Sequence, residues 1–168
     1  MPSNIEIKAR IESIDALLPR VRSIATSGPE EIFQDDTFFT CANGRLKLRV
    51  FSEDAGELIF YQRTDSAGPK QSRYILTNTT EPEALRDTLA QAYGTAGRVR
   101  KHRTLYLAGR TRVHLDRVEG LGEFLELEVV LADDEASEDG IIVANDLLAA
   151  LGITEAQLLT GAYVDMFE

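Results

Sequence analysis

The residues from Asn4 to Ile11 alternate strictly: Ile5, Ile7, Ala9 and Ile11 share one parity, and Asn4, Glu6, Lys8 and Arg10 share the other. Successive side chains of a strand point to opposite faces, so this run predicts a strand with one apolar face and one charged face. The pattern recurs. Leu46, Leu48 and Val50 oppose Arg45, Lys47 and Arg49; Val113 and Leu115 oppose Arg112, His114 and Asp116; Leu125, Leu127 and Val129 oppose Phe124, Glu126 and Glu128. Strands are predicted over residues 4–11, 35–40, 45–52, 57–64, 71–78, 99–107, 111–117 and 123–131, punctuated by glycines in the rhythm of an antiparallel structure. Helical spacing occupies Ser13–Ala25, Glu81–Tyr93 behind a Thr80 cap, Ile141–Leu151 before Gly152, and a last helix from Thr154 towards Phe167. A length of 168 residues with 43% apolar content suits one core, and the chain reads as a single domain over 1–168.

An antiparallel sheet with one wet face would explain the alternation. Arg45, Lys47 and Arg49 argue further, because three like charges on one strand face repel unless acidic neighbours or an anionic ligand offset them. The helices need the apolar faces as packing partners. If they cover those faces, a closed sheet turns its charged faces inward, giving an α+β fold with a closed, polar-lined β-barrel and peripheral helices. The inward candidates are the cations Lys8, Arg10, Arg45, Lys47, Arg49, Arg63, Arg73, Lys101, Arg103 and Arg112, and the anions Glu6, Asp116, Glu126 and Glu128. Such a lumen suits a polyanion. Paired carboxylates beside it suit a divalent metal, because Mg²⁺ shares its oxygen shell between protein carboxylates and substrate phosphates. The implied chemistry is positioning and charge neutralisation for attack at phosphorus.

Other function classes recede. Lys plus Arg number 18 against 28 Asp plus Glu, a net charge of −10, which opposes nucleic-acid polymers and anionic membranes as partners. The single Cys41 excludes an intramolecular disulfide framework and is compatible with a reducing, cytoplasmic setting. No apolar run approaches a membrane span, and the first residues do not read as a signal peptide. Gly120-Leu121-Gly122 lacks the third glycine of a dinucleotide fingerprint, and no Gly-x-x-x-x-Gly-Lys-Ser/Thr loop occurs. His114 shares the parity of Asp116, and a hydrogen-bonded structural role is its favoured reading. Tyr61, Tyr74 and Tyr106 read as packing aromatics, and Tyr163 is ambiguous.

Taken in order, these segments resemble the CYTH domain of the triphosphate tunnel metalloenzyme superfamily, which includes class IV adenylyl cyclases and several triphosphatases. Asn4-Ile5-Glu6-Ile7-Lys8 is similar to its Glu-x-Glu-x-Lys signature, with Asn4 in place of the first Glu. QDDTFF from Gln34, RLKLRV from Arg45, LIFYQR ending at Arg63, GPKQSRY with Arg73, VRKHRTLY with Lys101 and Arg103, and VHLDRVEGLGEFLELE carry the rest. The resemblance implies an eight-stranded antiparallel tunnel that binds Mg²⁺ or Mn²⁺ through Glu6, Glu126 and Glu128, with Asp116 as a fourth candidate. It implies phosphate contacts from Lys8, Arg45, Lys47, Arg49, Arg63, Arg73, Lys101 and Arg103, and a catalytic role for Lys8 as charge clamp or proton carrier. The expected activity is conversion of ATP to cyclic AMP and pyrophosphate. The alternatives are hydrolysis of inorganic, thiamine or nucleoside triphosphate, and a binding module without turnover. Homodimer formation stays open.

Overall fold

The computed structural model describes residues 1–64 and 66–167. In chain order it comprises β1 (Ser3–Arg10), α1 (Ile14–Ile24), β2 (Ser27–Phe39), β3 (Arg45–Ser52), β4 (Ala55–Arg63), β5 (Lys70–Thr79), α2 (Pro82–Tyr93), β6 (Thr95–Ala108), β7 (Thr111–Val118), β8 (Gly122–Val130), α3 (Ser137–Leu151) and the two-residue β9 (Leu158–Leu159). Neighbouring strands run β5-β4-β3-β2-β6-β7-β8-β1, and β1 pairs with β5 to close an eight-stranded antiparallel barrel. Closure is shared along β1: its first half, Ser3 to Glu6, pairs with β5, and Lys8 and Ala9 pair with β9.

The apolar parity faces outward under helices. Ile5, Ile7, Val113, Leu115, Leu125, Leu127 and Val129 are fully buried against Ile14, Leu17 and Val21 of α1 and Ala144, Leu148 and Leu151 of α3. Burying each aliphatic side chain contributes roughly 1.5–3 kcal/mol, so this layer dictates which face of the sheet turns inward. The Ser13 hydroxyl accepts from the Ala16 N–H at 2.9 Å and starts α1. Gly140 lets α3 approach β1, because a Cβ there would stand 2.6 Å from Ile5.

Several sequence expectations shift. β2 begins at Ser27 instead of residue 35, β6 at Thr95 instead of 99 and α3 at Ser137 instead of Ile141, and Glu81 takes the cap position of α2 expected for Thr80. The added part of β2 is largely exposed and pairs there only with β6, so it carries no apolar alternation to detect. The predicted last helix is absent: two 3-10 turns, Glu155–Gln157 and Tyr163–Met166, flank β9 instead. Gly161, at φ +70°, breaks the run, and the final turn enters the barrel end. There Tyr163 joins Phe38, Ile59, Tyr61, Val99, Val118 and Phe124 in a second apolar cluster.

Candidate active site

The barrel encloses a cavity of about 340 Å³. Among the described residues, seven cations line it, namely Lys8, Lys47, Arg49, Arg63, Lys101, Arg103 and Arg112. Five carboxylates join them: Glu6, Asp36, Glu57, Glu126 and Glu128. Register explains the grouping. Glu6 stands opposite Glu128 and Lys8 opposite Glu126 across β1 and β8, while Arg112 and His114 of β7 face Glu128 and Glu126. Lys47 and Arg49 enter from β3, and Lys101 and Arg103 from β6.

The cations are held by carboxylates. Arg49 donates to both oxygens of Asp36 at 2.8 Å each, and Lys47 and Lys101 stand 3.3 Å from the same carboxylate. Burial opposes ionisation of Asp36, yet Arg49, Lys101 and Lys47 together hold its carboxyl well below the usual range. Burial lowers the Lys101 ammonium to about 7 and Lys47, which also faces Arg49, to about 8. Arg63 contacts Glu6 at 3.1 Å. Lys8 lies 3.4 Å from Glu126 and 3.8 Å above the Tyr163 ring, a cation–π contact.

Glu126 and Glu128 titrate in opposite directions. Both are penalised by burial, but Lys8, His114 and Arg103 hold Glu126 well below its ordinary value. Glu128 faces Glu6 and Glu126 and is pushed up to about 7. That excess of negative charge suits a divalent cation. The fit is geometric as well, since Glu126, Glu128 and His114 each offer a ligand atom and these atoms lie within 4.8 Å of one another. Burial, reinforced by Arg103, lowers the His114 imidazole to about 4.

Several expected residues lie elsewhere. Arg73 is exposed, because the inward members of β5 are Ser72 and Tyr74, one position out of phase with it. Arg45 sits at the barrel end, 2.6 Å from Asp165 of the final turn, and Arg10 is exposed and donates to the Leu121 carbonyl at 3.4 Å. Asp116 is fully buried with both oxygens engaged: Arg103 donates to them at 2.7 and 2.8 Å, and the Tyr163 hydroxyl donates at 2.7 Å. This aligns Arg103 and leaves Asp116 outside the cavity lining. Sequence reasoning missed Asp36: the segment is read as a strand over 35–40, but the shared parity of Gln34, Asp36 and Phe38, which turns all three inward, goes unused. Tyr163 carried no such signal.

The CYTH domain model matches residues 3–163. Adenylate cyclase CyaB of Aeromonas hydrophila is 27% identical over 176 residues, covering 98% of this chain and 88% of that protein. In structure, the PH1012 protein of Pyrococcus horikoshii superposes with a TM-score of 0.85 at 20% identity, over 98% of this chain and 99% of the other. HpAC1 of Hippeastrum, a protein with a dominant triphosphatase activity, superposes at 0.66 with 16% identity, over 97% and 93%. With a charged eight-stranded tunnel and a family match along nearly its whole length, the chain belongs to the CYTH domain family.

Proposed function

We propose that the protein is a divalent-metal-dependent enzyme acting on a triphosphate, and that it converts ATP to cyclic AMP and pyrophosphate. The observation that carries this reading is the tunnel itself, where cations of β3 and β6 share one cavity with a carboxylate wall of β1 and β8. Glu126 and Glu128, with Glu6 beside them, would hold Mg²⁺ or Mn²⁺. When bound, the ion supplies Lewis-acid polarisation of phosphate oxygens. Lys47, Arg49, Arg63, Lys101 and Arg103 would bind and orient the phosphate chain and neutralise charge developing on the leaving pyrophosphate. Lys8, wedged between Glu126 and Tyr163, would act as a charge clamp. The cavity also has apolar lining from Ile32, Phe51, Leu76 and Leu105, surface that a nucleoside covers and an inorganic triphosphate leaves wet.

Hydrolysis of a triphosphate is the second reading, because the same charges act on the phosphate chain whether ribose hydroxyl or water attacks, and the Hippeastrum protein of this fold has that activity. Purified protein incubated separately with ATP, thiamine triphosphate and inorganic triphosphate, each with Mg²⁺ or Mn²⁺, distinguishes the outcomes. Cyclic AMP with pyrophosphate supports the cyclase, orthophosphate release supports the triphosphatase, and binding without product reduces the protein to a triphosphate-binding module.

A further inference from the structure

We propose that His114 is a metal ligand in this chain, adding an imidazole nitrogen to the carboxylates of Glu126 and Glu128 and biasing the site towards Mn²⁺ over Mg²⁺. The inference rests on the reading of the tunnel as a metal-dependent triphosphate site and goes beyond it, since the carboxylates alone describe an all-oxygen site.

The buried imidazole faces Glu126 without a direct hydrogen bond from Nδ1. His114 is 4% exposed, lines the cavity, and among the described residues its Nδ1 has no hydrogen-bond partner. A buried histidine retained for packing ordinarily has its polar atoms satisfied. The nearest carboxylate oxygen is Glu126 Oε1 at 3.6 Å, too long for a hydrogen bond. Two donors each about 2.1 Å from one ion stand roughly 3.0 Å apart at right angles and about 4.2 Å apart when opposite, so the 3.6 Å separation falls within the span of a shared ion. Cross-strand register produces the arrangement, because His114 lies directly opposite Glu126 and Glu128 is the next inward residue of β8. The three ligand atoms fall within 4.8 Å of one another without any strand moving.

The donor set decides the metal. Mg²⁺ prefers oxygen and keeps its waters, whereas imidazole nitrogen favours transition ions. Glu6, paired with Arg63 at 3.1 Å, stands beside this group, and His114 is the nitrogen donor within it.

The test is pulsed electron paramagnetic resonance on chelator-treated full-length protein titrated with Mn²⁺ alone. A ¹⁴N modulation from directly coordinated imidazole is expected, converting to a ¹⁵N pattern in protein grown with ¹⁵N-labelled histidine. The modulation should vanish in His114→Gln and persist in His102→Gln, since His102 lies on the outer wall with a 46% exposed side chain. His114→Gln should also lose at least about tenfold of the Mn²⁺-over-Mg²⁺ preference. Bound Mn²⁺ without histidine modulation overturns the assignment of His114 and leaves the metal reading standing. Failure of Mn²⁺ to bind at all overturns both. The labelled wild-type protein decides the question even if His114→Gln does not fold.

Discussion

Replacing Glu128 with Gln removes one negative charge at nearly constant volume, and its consequences for stability and function should have opposite signs. Burial and the charges of Glu6 and Glu126 raise the Glu128 carboxyl from an ordinary 4.5 to about 7. A folded-state value above the unfolded one means that ionisation costs the folded state. The cost is absent below about pH 4.5, grows as the pH rises, and is complete above about pH 7. A rise of that size corresponds to about 3 kcal/mol. In the presence of chelator at pH 8.5, Glu128→Gln should therefore be more stable than wild type by up to about 3 kcal/mol, a Tm gain of roughly 6–12 °C for a chain of this size. At pH 4.5 the two proteins should melt together. Adding Mn²⁺ should raise the Tm of the wild type by mass action and barely move the variant, whose metal-dependent turnover should be largely lost. Thermal melts at the two pH values, with and without metal, check every part. A variant no more stable than wild type at pH 8.5 in chelator would refute the reasoning, because the carboxylate cluster would then carry no excess charge for a metal to neutralise.

Asp36 makes the complementary case. Asp36→Asn leaves Arg49, Lys47 and Lys101 uncompensated and should destabilise the ligand-free protein by about 3–5 kcal/mol, with inorganic triphosphate restoring much of the lost Tm; equal melting temperatures would contradict it. Triphosphate affinity should fall as pH rises from 6 to 9, since Lys101 neutralises through about 7 and Lys47 through about 8. Binding at pH 8 should accordingly take up protons, visible by calorimetry in buffers of different ionisation enthalpy, and Lys101→Arg should remove the lower step. Gly97→Ala places a Cβ 2.4 Å from Val164 Cγ2 at φ +149° and should cost about 1–3 kcal/mol, part of which Val164→Ala recovers; additive effects in a double-mutant cycle would show that the final turn does not pack there.

The inward orientation of β1, β3, β7 and β8 was legible because each presents a strong apolar parity, and physical necessity puts that parity under α1 and α3 or an equivalent cover. β5 offered no such contrast. Its Arg73 looked like its neighbours in the motif, while closure against β1 at Asn4–Ser72 and Glu6–Lys70 put Ser72 inside instead. The final turn was illegible for another reason. Tyr163 reaches Asp116 across 47 residues through a segment without strand or helix periodicity, and only the assembled barrel end gives it a place. Charge identity and charge pairing separate along the same line. Alternation identifies Arg49 and Lys101 as inward cations, but register determines that both meet at Asp36. That pairing changes what binding must accomplish. An unpaired cationic wall would attract any polyanion; cations already held by Asp36, Glu6 and Asp116 favour a ligand whose several charges engage several of them at once. A short, densely charged phosphate chain accompanied by its own metal meets that condition, and an extended polymer outside an acidic protein does not.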